Sequence, residues 1–233
     1  MQESEARAYF LRDMRKAKNN VERFYKAQHE FGSKKHVQQF LTDFRQAHAG
    51  ITIFEYRKPT RHPWHFHHTF FYIEPKAIEE DGIGKLLLVQ QTTLDSKKLV
   101  KGDLSDILEV QVTRDLMLHE HFFTRLIQRA ELSGLKAALN LTAHSLAEVL
   151  VQIKFALTQF EEGQTLHLVC PDKVFIVTCE KAQALLIFKT VILAEFMTER
   201  QLRIYSGAIA QAKVSENGFV SLREDEEAYE LLF

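Results

Sequence analysis

The stretch that decides the fold is Val112–Ala130, VTRDLMLHEHFFTRLIQRA, in which the hydrophobic pattern changes partway along. Up to Leu118, apolar and polar residues alternate, which predicts a β-strand with one buried face. Beyond that point the apolar residues recur at helical spacing and form one stripe: Phe122, Phe123, Leu126, Ile127 and Ala130. The pattern therefore predicts a strand that runs directly into a helix, with the rest of the chain organised around this junction.

Two amphipathic helices are predicted at the amino terminus, before any strand. The first covers residues 5–32 and ends at Gly32, and Ser33 is placed to cap a second helix that closes at Gly50. The apolar face of the first helix is formed by Phe10, Met14, Ala17, Val21 and Phe24. We interpret residues 1–50 as a helical hairpin, either an appendage or a partner-binding arm, attached to an α+β domain of residues 51–233.

β-rich runs on both sides of the central stretch predict a mostly antiparallel sheet. Four runs joined by short polar connections are typical of an antiparallel meander: residues 51–58, 65–75, 83–93 and 106–113. A capping box at Ser145 and Glu148 predicts a helix to about residue 162. Three further strands follow, TLHLVC, VFIVTC and ALLIFKTVIL. The tail from Arg200 has a weaker strand pattern in two segments, RIYSGAIA and then GFVSL. The predicted fold class is α+β, an N-terminal helical hairpin followed by a mostly antiparallel sheet flanked by helices.

The composition is that of an ordinary globular protein without strong bulk charge. The 233 residues are 45% hydrophobic and 26% charged, and 30 basic against 31 acidic residues give a net charge of −1. This balance gives no sign of nonspecific attraction to nucleic acid or to a membrane surface. No run has the length of a membrane span, and no signal peptide is recognised, so a cytoplasmic protein is expected. Cys170 and Cys179 flank a predicted hairpin in a register that argues against a disulfide.

Basic and titratable side chains form a ridge along the predicted central helix. His121, Arg125 and Arg129 recur at spacing i, i+4, i+8, and His119 stands just before them. Lys189 interrupts an otherwise apolar strand, and because an unpaired ammonium is costly to bury, it either reaches the exposed face or points into a site. A phosphate-bearing ligand would suit this set of residues, and a solvated helix face would account for the ridge equally well.

Residues 118–193 resemble the ribonuclease toxins of the barnase–EndoU–colicin–RelE superfamily. In several of those families a helix carries a histidine near its start and arginines a turn or two later, and a final strand supplies a basic or hydroxyl residue. The resemblance implies catalytic roles for His121 or His119, Arg125, Arg129, Lys189 and Thr190. The chain departs from the pattern in its long insertion between Arg129 and Ser145 and in the fifty helical residues at its front.

The chemistry implied by this resemblance is metal-independent cleavage of RNA, in a toxin-type or RNA-processing nuclease that needs no cofactor. Histidine can take the proton from a ribose 2′-hydroxyl near neutral pH. Arginine and lysine can stabilise the charge that develops on the scissile phosphate. RNA is accordingly the expected partner of the hydrolase.

A second cluster of histidine and basic residues lies at positions 57–68. Arg57, Arg61 and Trp64 are a basic, stacking-capable group of the kind that binds single-stranded RNA. Histidines of the same segment could instead bind a metal, because His65 and His67 share one strand face and His119 could act as a third ligand. Simple packing of aromatic and histidine residues on a half-exposed strand is the structural alternative.

Three functions therefore stay open on the sequence alone. The first is the endoribonuclease. The second is a noncatalytic, regulatory or immunity-type protein that binds a protein partner through its N-terminal helices, which predicts an exposed apolar patch around Phe10, Met14 and Phe24. The third is a metal-dependent enzyme that uses the His62–His68 cluster. No Gly-rich phosphate loop and no GxSxG, HExxH or CxxC motif is present.

Overall fold

The computed structural model describes residues 1–62, 65–80, 84–101, 110–158, 161, 163–180, 185–216 and 218–223. It opens with two helices, α1 (Glu3–Lys26) and α2 (Lys34–His48). The first ends earlier than predicted, because Ala27 is extended and the His29 ring hydrogen-bonds the Phe24 carbonyl at 2.8 Å. The predicted cap of α2 is confirmed, since Ser33 Oγ accepts a hydrogen bond from the backbone N–H of His36 at 3.2 Å.

The strands form one eight-stranded mixed sheet in the order β1-β2-β3-β4-β7-β6-β5-β8. The strands of its first half are β1 (Thr52–Arg57), β2 (His67–Glu80), β3 (Gly84–Asp95) and β4 (Val110–His119). Those of its second half are β5 (Thr165–Val169), β6 (Lys173–Glu180), β7 (Leu185–Leu193) and β8 (Val220–Arg223). Neighbouring strands are antiparallel except β4 and β7, which are parallel. The predicted α+β class and the predicted antiparallel meander are confirmed.

The remaining described helices are α3 (Ser96–Lys101), α4 (Glu120–Arg129), α5 (Leu135–Thr158) and α6 (Glu199–Ala212), with a short 3₁₀ turn at Ala194–Phe196. The strand-to-helix junction predicted from Val112–Ala130 is therefore present, with β4 passing directly into α4. The described residues contain the same succession of helices and strands twice. The first series is α2-β1-β2-β3-α3-β4, and the second, after α4, is α5-β5-β6-β7-α6-β8. No described helix has the length and apolarity needed to cross a membrane.

The start of α5 differs from the prediction, because its cap comes from a distant part of the chain. The helix begins at Leu135, whose backbone N–H donates to Asp13 Oδ2 of α1 at 2.9 Å. Ser145 therefore lies inside the helix and does not cap it. Its buried hydroxyl accepts a hydrogen bond from Lys173 Nζ at 3.1 Å, which ties α5 to the start of β6. The capping box predicted at Ser145 is wrong.

Of the two weak strands predicted in the tail, the first, RIYSGAIA, is wrong, since residues 203–210 lie in α6. The second, GFVSL, is confirmed by β8 (Val220–Arg223). Thr198 and Gln201 make a reciprocal capping box at the start of α6, with Gln201 N–H donating to Thr198 Oγ1 at 3.2 Å and Thr198 N–H to Gln201 Oε1 at 3.0 Å. The helix packs on the second half of the sheet through Tyr205 and Ala208, in a cluster with Ile176 and Ile192 of β6 and β7. Capping and tertiary packing together outweigh the alternating pattern.

The N-terminal helices share the core of the sheet. The Phe10 ring of α1 stacks on Phe123 of α4 with centroids 6.1 Å apart, and Arg7 Nε donates to the Glu120 carboxylate at 2.9 Å. Phe10, Met14 and Phe24 are all buried in the apolar cluster that also contains the strands. The exposed apolar patch predicted around these residues is therefore wrong, because this face of α1 packs against α2, α4 and the sheet.

The two cysteines are free and buried, in agreement with the sequence prediction that they form no disulfide. Cys170 follows β5, and its backbone N–H donates to the Lys173 carbonyl at 2.8 Å across the β5–β6 turn. Burial raises the pKa of the Cys170 thiol to about 12. Cys179 lies opposite Leu186 in the β6–β7 pairing.

The shared core makes a prediction about stability. Phe10→Ala should lower the free energy of unfolding by about 3–5 kcal/mol, because it removes a buried aromatic side chain. The neighbouring Leu11 is 41% exposed, so Leu11→Ala is the matched control and should change stability by about 0.5 kcal/mol or less. Urea unfolding followed by circular dichroism measures both. A small loss in Phe10→Ala, or a separate early transition of the helices, would show that α1 and α2 form an independent unit.

Candidate functional site

The pairing of β4 with β7 brings His119 and Lys189 to adjacent positions. Their parallel register aligns Leu116 with Leu186, Met117 with Ile187 and Leu118 with Phe188. His119 and Lys189 are the next residues along the two strands. Neighbouring strands lie about 4.8 Å apart. The backbones of His119 and Lys189 are therefore close together, at the same end of this pairing.

A bulge in β7 directs Lys189 to solvent. The register of β6 and β7 shifts between the Ile176–Thr190 pair and the Val177–Phe188 pair, which leaves Lys189 as the extra residue. Phe188 is buried on one side of it, whereas Lys189 is exposed and Thr190 is half-buried. The bulge explains how an otherwise apolar strand accommodates a lysine without burying its ammonium.

The two histidines at the start of α4 form a stacked pair. Their ring centroids lie 4.9 Å apart with the planes 7° from parallel. His119 is the N-cap of α4, and its Nδ1 accepts the backbone N–H of His121 at 3.1 Å. A neutral His119 that keeps this cap therefore carries its proton on Nε2, so it can donate a hydrogen bond from that atom. His119 is half-buried and His121 is exposed.

The arginines of the ridge lie progressively farther from this pair. Arg125 and Arg129 follow His121 by one and two helical turns, which places them about 6 and 12 Å away along the axis. Arg125 is half-buried, with its Nη2 3.8 Å from the Glu3 carboxylate of α1, and Arg129 is exposed in the last turn. The two arginines therefore extend the basic ridge along α4, away from the histidine pair.

The histidines predicted as metal ligands do not converge. His67 pairs with Asp95 at one end of β3, whereas His119 pairs with Leu86 at the other end. The intervening strand is on the order of 30 Å long, so a metal held by His65, His67 and His119 together is excluded. Within the described ranges, no three His, Cys, Asp or Glu side chains are grouped so that they could hold a metal ion.

The residues predicted to bind RNA near β1 are placed separately from the β4–α4 junction. Arg57 ends β1 and is exposed, and Arg61 is exposed in the loop that follows. Trp64 lies outside the described residues. Arg61 lines a pocket with His62, His65 and His67.

An ion-pair cluster joining α2, β1 and β2 was missed by the sequence analysis. Arg45 donates from Nε to Glu55 Oε2 at 3.0 Å and from Nη2 to Oε1 at 2.5 Å, and its Nη2 is 3.0 Å from His68 Nδ1. His68 also contacts Glu55 and is buried. Burial raises the pKa of Glu55, but the bonds from Arg45 and His68 outweigh this and hold that pKa below its usual value. No local spacing reveals the cluster, because its members come from three elements.

His48 is a buried histidine at the end of α2, enclosed by aromatic rings. Phe44 stacks on it with centroids 4.1 Å apart, and Tyr72, Phe24 and Tyr25 contact it edge-on. Its Nδ1 donates to the Phe44 carbonyl at 2.8 Å, and its buried Nε2 has no hydrogen-bond partner. Burial lowers the pKa of His48 from 6.5 to about 4. The residue is part of the core and is sealed from any ligand.

Comparison with known proteins finds no family model, no curated protein and no solved structure that matches this chain. The resemblance of residues 118–193 to ribonuclease toxins therefore stays a prediction.

His48 predicts a pH dependence of stability. Its pKa is about 4 in the folded chain against 6.5 for the unfolded group, so only the unfolded state takes up this proton between those values. Stability should therefore fall as the pH drops from 6.5 to about 4, by about 3 kcal/mol from this group. Urea titrations at pH 7, 5.5 and 4.5 should show a shallower loss in His48→Gln than in the wild type.

The matched control for this experiment is His144→Gln, because the His144 side chain is 88% exposed. It should retain the wild-type pH slope. A His48→Gln slope equal to that of the wild type would mean that His48 is protonated readily in the folded protein, against the burial described here.

Proposed function

We propose that the protein is a metal-independent endoribonuclease that cleaves RNA where β4, α4 and β7 meet. One observation carries the proposal: the parallel register that ends at Leu118 and Phe188 leaves His119 and Lys189 as neighbours, with His121 stacked on His119. Phosphodiester cleavage without a metal requires a group that titrates near neutral pH and a cation for the phosphate. Histidine and lysine at adjacent positions meet that requirement.

The environments of the two histidines assign them different roles. The Nδ1 of His119 is occupied by the N–H of His121, so the neutral ring serves as a hydrogen-bond donor to a phosphate oxygen through Nε2. His121 is exposed and serves as the base that takes the proton of the ribose 2′-hydroxyl. The 2′ oxygen then attacks phosphorus, the bond to the 5′ oxygen breaks, and water protonates the departing oxygen. The products are a 2′,3′-cyclic phosphate and a 5′-hydroxyl.

The cations around the histidines bind the phosphates in this proposal. Lys189 compensates the charge on the scissile phosphate, and the half-buried Thr190 beside it offers a hydroxyl. Arg125 and Arg129, about 6 and 12 Å farther along α4, hold the phosphates next to the scissile one. The protein has a net charge of −1, so attraction of RNA must come from this local group.

Carboxylates close to the ridge are already bound to arginines. Glu120, the first residue of α4, is buried and accepts a hydrogen bond from Arg7 Nε at 2.9 Å. Glu3 lies 3.8 Å from Arg125. Because each negative charge has a cationic partner, their repulsion of an incoming phosphate is reduced.

The test is cleavage of a single-stranded RNA by the purified protein in excess EDTA. We expect chelator-resistant cleavage with cyclic-phosphate ends, and His121→Ala should slow it by about 10²–10⁴-fold because the base is lost. His144→Ala is the matched control, since that histidine is exposed on α5 and distant in sequence from the junction, and it should cleave at the wild-type rate.

A lysine variant tests the phosphate contact in the same assay. Lys189→Gln should reduce cleavage by about 10²-fold, whereas Lys213→Gln, at the exposed end of α6, should leave it unchanged. The proposal fails if the wild type does not cleave, if EDTA abolishes cleavage, or if His121→Ala cleaves as fast as the wild type.

A further inference from the structure

A pocket of about 390 Å³ lies where β2 begins and β3 passes into α3. Its lining includes the buried residues Phe66 and Ser96. Arg61, His62 and Lys97 contribute exposed side chains to the same lining. A volume in this range is that of small-ligand sites in proteins, which measure roughly 300–1,000 Å³.

The walls of the pocket are held together by hydrogen bonds of the protein itself. Phe66 N–H donates to Ser96 Oγ at 3.0 Å, and Ser96 N–H donates to the Phe66 carbonyl at 3.0 Å. On the loop side, Thr60 Oγ1 donates to the carbonyls of His62 and His65 at 3.1 and 2.5 Å. The backbone of these two walls is therefore fixed before any ligand enters, which reduces the ordering that binding requires.

The carboxylate in the lining is engaged by protein donors. Asp95 Oδ1 accepts the backbone N–H of Lys97 at 2.7 Å, and Oδ2 lies 3.5 Å from His67 Nδ1. Both oxygens thus have partners within the pocket wall. These contacts hold the Asp95 carboxylate against the wall of the pocket.

The other ionisable groups at the pocket are basic. Arg61 and Lys97 are cations, and His62 and His65 lie with ring centroids 5.2 Å apart and planes 88° from parallel. Burial lowers the pKa of His65, and repulsion from His62, Lys97 and Lys34 lowers it further, with Asp95 opposing. The lowered pKa favours a neutral His65 ring, so the positive charge available to an anion comes from Arg61 and Lys97.

We propose that this pocket binds the phosphate group of a nucleotide. Arg61 and Lys97 donate hydrogen bonds to the phosphate oxygens, and the Arg61 guanidinium does so in a bidentate contact. The perpendicular rings of His62 and His65 provide an aromatic surface for the base. The inference does not rest on the proposed nuclease activity, because the pocket adjoins the Asp95 end of β3 whereas His119 pairs with Leu86 at the opposite end.

Calorimetric titration of the full chain with uridine monophosphate, inorganic phosphate and uridine tests the proposal. We expect saturable one-to-one binding of the nucleotide and no measurable binding of uridine. Lys97→Gln should weaken nucleotide binding at least fivefold. Lys98→Gln is the matched control, since the adjacent residue of α3 is exposed and outside the lining, and it should stay within twofold of the wild type.

The remaining titrations distinguish recognition of the phosphate from recognition of the base, and this pocket from the candidate site at Lys189. Inorganic phosphate that binds as tightly as the nucleotide supports a site that recognises phosphate alone, whereas tighter nucleotide binding supports a contact to the base as well. Lys189→Gln should retain binding at the pocket even if RNA cleavage is lost. Absence of saturable binding by either phosphate compound overturns the proposal. So does equal weakening by Lys97→Gln and Lys98→Gln, or loss of nucleotide binding in Lys189→Gln.

Discussion

The parallel contact between β4 and β7 is the constraint on which the rest of the structure depends. It is the one parallel pairing among the described strands, and it joins two antiparallel halves into a single sheet. The helix α4, which follows β4, packs on one face of this contact. The ring centroid of Phe122 lies 6.0 Å from that of Phe175 and 6.4 Å from that of Phe188. Phe123 extends the same aromatic packing to Phe10 of α1. One strand-to-helix junction therefore couples both halves of the sheet and the N-terminal helices.

The candidate site is a product of the same contact. Buried Leu118 and Phe188 align the strands, and the polar residues His119 and Lys189 are the next residues along each of them. The bulge in β7 then exposes Lys189, while the cap that His119 provides to α4 fixes the position of its ring. The residues that pack the two strands together are thus the direct neighbours of the residues that form the candidate site.

Local patterns predicted much of this fold. The change of period after Leu118 located the junction, and alternation located the strands. The start of α5 escaped prediction because Asp13, which caps Leu135, is 122 residues away in sequence. Residues 203–210 escaped prediction because their sequence alternates like a strand, whereas the Thr198–Gln201 capping box and packing on the sheet make them helical. Predictions fail here where the deciding contact is long-range or where two local signals conflict.

The candidate site shows the same limit. His119 and Lys189 could be singled out by residue type, but their adjacent positions depend on a parallel register between strands that are far apart in the chain. The metal site predicted from His65, His67 and His119 is wrong because His67 and His119 pair with opposite ends of β3. Arg45, Glu55 and His68 carried no spacing signal, since each belongs to a different element.

The two sealed thiols have a practical consequence. Both cysteines of the chain belong to the second half of the sheet, and a thiol whose pKa is about 12 presents almost no thiolate to an alkylating reagent. Cys170 can then be alkylated appreciably only in molecules whose β5–β6 hairpin has opened. The rate at which Cys170 is alkylated in the native protein would therefore report the free energy of local opening of that hairpin. The first half of the sheet contains no cysteine and would not contribute to this rate.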